Sequence, residues 1–167
     1  FEHAVMLDGD YIGAVRPFEI YNPERIEYLY QTLSHLVAWH VAHGYQDFVI
    51  NYVFEEPESM ARLRLLLSES SDEIYAFRLV CDEAEAQRRI RKRALALGKE
   101  GADPDLNWEL HRFSELLQIQ NAAAQRGDMG FVVDTTHLDA QGVADAIWNN
   151  LREAVELLPY DPAWPLQ

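Results

Sequence analysis

Four short apolar segments, separated from one another by helix-like stretches, constrain the fold of this chain more than any other feature of its sequence. Each segment is apolar along most of its length and contains β-branched or aromatic residues, a pattern typical of strands buried on both faces. Strands that alternate with helices predict an α/β protein in which a parallel sheet is covered by helices on both faces. The predicted strands cover residues 3–7, 48–54, 74–80 and 131–134.

The stretches between these strands carry the usual start and stop signals of helices. Asn22, Pro23 and Glu24 supply an N-cap, a proline at the first helical position and an acid in the first turn. Apolar residues then recur at three- and four-residue spacing until Gly44, which is suited to end a helix. The sequence predicts helices over 22–44, 57–67, 82–97, 105–125 and 139–157.

Length, charge and cysteine content limit the class of protein. A chain of 167 residues can form one domain with its own core. Its 14 Lys and Arg against 28 Asp and Glu leave a net charge of −14, a field that disfavours non-specific binding to nucleic acid or to anionic membranes. Cys81 is the single cysteine, so an internal disulfide is impossible, and a reducing cytoplasm is the predicted location.

Two acids follow the first predicted strand in the segment Asp8-Gly9-Asp10. In parallel sheets, ligands bind beyond the carboxyl ends of the strands, so acids at this position are candidates for chemistry. Two carboxylates on a tight turn that Gly9 permits suit Mg²⁺-dependent phosphate chemistry, with one acid near the cation and the other near a substrate hydroxyl. A solvated turn without function remains the alternative.

Six of the 14 basic residues lie between positions 88 and 99. Such a concentration in an acidic chain predicts a local anion-binding surface, and Arg89 and Arg93 lie one helical turn apart. The alternative is a solvated helix face whose cations pair with nearby acids such as Glu83 and Glu85. We expect two of these six cations to bind a ligand and others to pair with those acids.

These segments together resemble the small P-loop kinases, and most closely the adenylylsulfate, shikimate and gluconate kinase group. The resemblance covers most of the chain and rests on residues 5–10, 79–82, 88–93, 132–136 and 143–145.

The resemblance implies a role for each candidate residue. Asp8 would lie near the Mg²⁺ shell, and Asp10 would be the base or anchor for the acceptor hydroxyl. Arg16 would face the substrate, and we expect Asn51, at the end of the second strand, to contact the substrate as well. Arg89 and Arg93 would close over the phosphates of ATP as catalytic residues, with Arg89 also contacting the nucleotide. Thr135 and Thr136 would lie near the adenine.

The sequence departs from this family at one point, because it contains no Gly-x-x-x-x-Gly-Lys-Ser/Thr phosphate loop. In that fold the loop follows a central first strand, so we expect roughly 30 further residues before Phe1 to supply a strand, the loop and a helix. A degenerate relative that cannot hold ATP is the other possibility. The expected organisation is a single P-loop kinase-like domain over 1–158, N-terminally incomplete, and a proline-rich tail over 159–167.

The predicted function is a Mg²⁺-dependent kinase that transfers phosphate from ATP to a hydroxyl of a small molecule, with no nucleic acid or membrane partner. A non-catalytic nucleotide- or ligand-binding or regulatory module on the same fold is the first alternative. A haloacid-dehalogenase-like phosphatase that uses Asp8 and Asp10 is the second. That phosphatase site is less well matched, because Ile12 stands where its threonine is expected and no paired acids accompany Asp134.

Overall fold

The computed structural model of the protein describes residues 3–15, 19, 21–99 and 103–157. Within these residues the chain alternates strands with helices and is an α/β protein, as the sequence predicts. The elements are β1 (Ala4–Asp8), α1 (Gly9–Ile12), α2 (Pro23–Ala42), β2 (Asp47–Asn51), α3 (Pro57–Leu67), β3 (Phe77–Val80), α4 (Glu83–Ala96), α5 (Pro104–Arg126), β4 (Phe131–Asp134) and α6 (Ala140–Leu157).

The strands pair in parallel, but they do not form the single sheet that the sequence predicts. β1 pairs with β2, so that Asp8 lies opposite Asn51, and β3 pairs with β4, so that Val80 lies opposite Asp134. Among the described residues the four strands form two two-stranded sheets. An apolar run indicates that a segment is a strand and does not indicate which strand lies beside it.

The strands β2 and β3 are shorter than predicted, because the strand that each of them pairs with covers fewer residues. β1 stops at Asp8, where the chain enters α1, so the residues after Asn51 have no strand to pair with. β4 begins only after Gly130, and the third strand therefore pairs from Phe77 instead of from residue 74. Gly130 has φ +85°, and a Cβ there would lie 2.5 Å from the carbonyl oxygen of Ala76, so this position requires glycine.

Contacts divide the chain into two compact units, Phe1–Ile74 with Ala122–Gly127 and Tyr75–Asn121 with Asp128–Gln167. In the first unit, the side chain of Asn22 caps α2 by accepting hydrogen bonds from the backbone nitrogens of Glu24 and Arg25, as predicted. Leu29, Leu33 and Val37 recur every fourth residue along α2 and are buried. They form a core with residues of β1 and α3, namely Leu7, Leu63, Leu66 and Leu67.

The described helices of this unit cover one face of the β1–β2 pair. Leu7 points into the core, whereas Met6 and Val49 are directly paired and remain 71% and 54% exposed. Among the described residues of the first unit, the predicted cover of helices is therefore seen on one face of this pair only. A strand that is apolar along its whole length indicates that both of its faces tend to be buried, but it does not indicate which element buries them.

The second unit is built from β3, α4, β4, α6 and most of α5. Its buried residues include Ala86, Ala94, Leu106, Met129 and Val133. The carboxyl ends of β3 and β4 lie next to each other because the two strands are parallel. The segment after β4 therefore starts beside Cys81 and Asp82, where α4 begins.

Candidate functional site

Asp8 and Asp10 lie on one helical turn instead of the tight turn predicted from Asp8-Gly9-Asp10. Asp8 is the N-cap of α1, and its Oδ1 accepts a hydrogen bond from the backbone nitrogen of Asp10 at 2.9 Å. Its Oδ2 accepts a longer bond of 3.5 Å from Nδ2 of Asn51. The side chain of Asp10 is exposed. Three of the predicted site residues therefore lie together at the carboxyl ends of β1 and β2.

Gly9 is required here for a reason different from the one predicted. Its backbone is helical and has no positive φ, so the conformation itself does not demand glycine. A Cβ at this position, however, would lie 2.7 Å from Cδ2 of Tyr52 and 3.1 Å from the carbonyl oxygen of Asn51. Glycine allows the turn that carries Asp10 to pack directly against the end of β2.

Two residues that the sequence analysis did not single out complete this acidic site. The guanidinium of Arg25 donates from Nη1 to the carbonyl oxygen of Gly13 at 3.1 Å and from Nε to that of Glu19 at 2.9 Å. Tyr52 follows Asn51, and burial raises the pKa of its hydroxyl, an effect that the nearby Arg25 opposes. No spacing rule marks these two residues, although Tyr52 does directly follow a strand end. Arg16, the other predicted substrate contact, lies outside the described residues.

In the second unit, α4 and the segment after β4 border an open groove of about 690 Å³. We call it the basic groove, because four cations of α4 line it, namely Arg88, Arg89, Lys92 and Arg93. Its other wall consists of Thr136, His137, Leu138 and Asp139. The concentration of basic residues seen in the sequence is therefore a real surface feature of the second unit.

Arg89 is the most engaged of these cations. Its Nη2 donates to the carbonyl oxygens of Thr135, Thr136 and Leu138, at 2.6, 3.1 and 3.2 Å. Its Nε donates to Oε1 of Glu85 at 2.8 Å. In this structure Arg89 ties α4 to the segment after β4, and so shapes the basic groove. The catalytic role predicted for it stays a prediction.

The other three cations differ in their partners. Arg88 makes two hydrogen bonds to Glu85, at 2.6 and 2.7 Å, so the expected pairing with a neighbouring acid is confirmed. Together Arg88 and Arg89 lower the pKa of the Glu85 carboxyl to about 2. Arg93 pairs with Glu109 at 2.7 Å, yet its side chain is 64% exposed. Lys92 is exposed and forms no ion pair with the described residues.

Thr135 and Thr136, predicted to lie near the adenine, are buried and join β3 to β4. The hydroxyl of Thr135 donates to the carbonyl oxygen of Val80 at 2.9 Å. The hydroxyl of Thr136 donates to Oδ1 of Asp134 at 2.6 Å and accepts from the backbone nitrogen of Asp82 at 3.0 Å. The bonds from Thr136 lower the pKa of Asp134. Both hydroxyls therefore serve the fold, and their predicted contact with a nucleotide is untested.

The residues at the acidic site fit a magnesium ion that is held mainly by other ligands. Oδ1 of Asp8 caps α1, which leaves Oδ2, with its long bond to Asn51, as the oxygen suited to a cation or its water shell. Mg²⁺ is commonly held by one or two carboxylates together with waters and substrate phosphates. In the part of the chain that the structure describes, no group of three or more His, Cys, Asp or Glu side chains is placed to form a cage.

The chain matches no model of a known protein family, and no curated protein matches it significantly. None of the described helices combines the length and the apolar character needed to cross a bilayer. The residues of the acidic site and of the basic groove are consequently the basis for a functional assignment.

Proposed function

We propose that this protein is a P-loop kinase-like phosphotransferase that transfers the γ-phosphoryl group of ATP to a hydroxyl of a small molecule. The observation that carries the proposal is the basic groove. Four cations and two acids, Glu85 and Asp139, line one groove in a chain of net charge −14, so the lining keeps an excess of cations and attracts an anion locally although the protein as a whole repels it. Polyphosphate is the class of ligand that such a groove favours.

The acidic site belongs to the first unit, and its groups are of the kind that act on an acceptor hydroxyl. The exposed carboxylate of Asp10 is available to accept the proton of the acceptor hydroxyl as its oxygen attacks the γ-phosphorus. The bond from that phosphorus to the bridging β-phosphate oxygen breaks, and ADP leaves. Asp8 would orient Mg²⁺ through Oδ2, and the metal, when bound, neutralises phosphate charge.

The groove cations have different tasks in this proposal. Lys92 and the exposed end of Arg93 would contact phosphate oxygens, whereas Arg89 holds the groove in shape through its carbonyl contacts. Catalysis in this class comes mostly from positioning and charge neutralisation. The family's phosphate loop is not in the sequence, so the proposal draws its support from the groove and the acids.

A nucleotide-binding experiment tests the groove. We expect the full-length protein to bind ATP with Mg²⁺ in calorimetry, and to bind adenosine much more weakly, since phosphates provide the attraction. The double variant Lys92→Gln with Arg93→Gln should weaken ATP binding by roughly 10-fold or more. Arg91→Gln, an exposed change on the same helix outside the groove lining, is the matched control. Equal ATP affinity in all three proteins would contradict the proposal.

A turnover experiment tests the acids. ADP formation from ATP is followed in a fixed mixture of sugars, polyols, nucleosides and hydroxy amino acids. We expect Asp10→Asn to stop ADP formation while ATP binding is retained. ATP binding without turnover in the unmodified protein would favour the binding module instead. Release of phosphate from p-nitrophenyl phosphate without nucleotide, abolished by Asp8→Asn, would favour the phosphatase.

A further inference from the structure

The helical turn α1 carries the proposed base, Asp10, and four residues are too few to hold such a turn by themselves. Nucleating a single turn fixes several residues for one hydrogen bond, so an isolated turn is unstable in water. Its placement must therefore come from contacts outside it. The side chain of Asp8 caps the turn by accepting from the backbone nitrogen of Asp10, its second residue, and other support has to act at its two ends.

Tyr52 supports the beginning of α1. The position of a Cβ on Gly9 would be only 2.7 Å from Cδ2 of Tyr52, which shows how closely the ring lies against this backbone. The ring itself is fixed by edge-on contacts with Tyr30 and Phe54, at centroid distances of 6.2 and 5.2 Å. Tyr30 is buried in the core of the first unit, so the ring that lies against the start of α1 is itself packed on that core.

Arg25 supports the end of α1. Gly13 closes the turn by donating from its backbone nitrogen to the carbonyl oxygen of Gly9 at 2.8 Å, and its own carbonyl oxygen accepts from Nη1 of Arg25. A Cβ on Gly13 would lie 3.1 Å from that nitrogen, so glycine lets the guanidinium approach. The backbone of Arg25 is itself fixed in the capped first turn of α2.

We propose that Arg25 and Tyr52 are positioning residues that hold α1, and with it the carboxylate of Asp10, in the place from which it acts on the acceptor. The inference rests on the proposed function, because only that function gives a reason for Asp10 to be held in one place. Neither residue is a catalytic residue in this account. A misplacement of about 1 Å in a reacting group is costly to turnover, so the loss of either support should lower turnover more than nucleotide binding.

Hydrogen exchange and turnover of the full-length protein, measured on the same variants, test this inference. Arg25→Gln should speed exchange of the backbone amides in residues 9–15 by roughly 10-fold or more, because the end of α1 loses its anchor. The same variant should lower ADP formation at saturating ATP by roughly 10- to 100-fold. ATP affinity should stay within about twofold, because Arg25 does not belong to the basic groove that is proposed to bind the phosphates.

Three further variants separate positioning from general destabilisation. Arg25→Lys, which keeps one donor, should recover part of the lost turnover, and Tyr52→Phe, which keeps the ring against Gly9, should lose less than Arg25→Gln. Arg62→Gln is the control, because Arg62 bonds to Glu27 of α2 at 2.6 Å and has no hydrogen bond or ion pair to α1 among the described residues. It should change neither exchange in 9–15 nor turnover.

Two results would overturn the inference. One is unchanged exchange of residues 9–15 in Arg25→Gln, which would mean that Arg25 does not hold α1. The other is faster exchange with a turnover equal to that of Arg62→Gln. Absence of ADP formation in the unmodified protein would instead refute the proposed function, and the exchange result would still decide whether Arg25 supports α1.

Discussion

Nη2 of Arg89 lies 2.6 Å from the carbonyl oxygen of Thr135, and this bond joins α4 to the end of β4. The same nitrogen lies within hydrogen-bond distance of the carbonyl oxygens of Thr136 and Leu138, so its two hydrogens are shared among three backbone acceptors. Backbone carbonyls left without a donor in a part-buried position are costly. Arg89 is therefore a structural residue of the second unit, whatever it contributes to a ligand.

The first prediction is that Arg89→Ala lowers the free energy of unfolding by about 2 kcal/mol or more, because hydrogen bonds from a charged donor are the stronger ones. Urea unfolding measures this change. Arg91→Ala on the same helix is the control, because Arg91 is exposed and forms no ion pair with the described residues. It should stay within about 0.5 kcal/mol. Equal effects of the two substitutions would contradict a structural role for Arg89.

The second prediction concerns the pH dependence of stability. Arg88 and Arg89 lower the pKa of Glu85 from 4.5 to about 2 in the folded protein. A lowered folded pKa means that the ionised carboxyl contributes stability above the unfolded pKa and loses it as the pH falls through the folded pKa. The stability difference between the unmodified protein and Glu85→Gln should therefore be constant near neutral pH and shrink between about pH 4.5 and 2. Urea unfolding at several pH values measures it, and a constant difference over that range would contradict the pairing.

The third prediction concerns the close approach of Gly9 to Tyr52. Gly9→Ala should lower the free energy of unfolding by about 1 to 3 kcal/mol, because the new Cβ overpacks against the ring and against the carbonyl of Asn51. The cost should be smaller in a Tyr52→Ala background, as the two sites are in contact.

Gly142→Ala is the matched control for this overpacking. It lies inside α6, where alanine is favoured over glycine, and its nearest neighbour is the flexible end of Leu138 at 3.3 Å. We expect it to be neutral or slightly stabilising in the same urea experiment. A destabilisation as large as that of Gly9→Ala would show that crowding against Tyr52 is not the cause.

The fourth prediction separates two roles of Asp8. Asp8→Asn keeps an N-cap acceptor for the backbone nitrogen of Asp10, so the free energy of unfolding should change little. Asp8→Ala removes that acceptor and should cost about 1 kcal/mol. Both substitutions remove the charge, and in the proposed kinase both should raise the Mg²⁺ concentration needed for half-maximal ADP formation. Equal stability of the two variants would contradict the capping role, and an unchanged Mg²⁺ requirement would contradict the metal role.

The sequence by itself determined the local elements of this protein. The start of α2 at Pro23 after the cap Asn22, the start of α3 at Pro57 and the strand Phe131–Asp134 lie where the sequence predicts them. These signals are local, because a cap, a proline or a run of β-branched residues acts within a few residues of the chain. The parallel direction of pairing also follows from sequence, since each strand is separated from its partner by helix.

Only the tertiary structure decided which strands pair and what the polar side chains contact. The bond from Arg89 to Thr135 joins residues 46 positions apart, and the crowding of Gly9 depends on Tyr52, which lies on another strand end. The same basic and acidic residues could form a solvated face or a ligand site, and no feature of the sequence distinguishes these two possibilities. Contacts between residues that are distant in the sequence depend on the packing of the whole unit. For this reason only the structure shows that Arg89 bonds to backbone carbonyl oxygens, whereas Lys92 of the same groove is exposed.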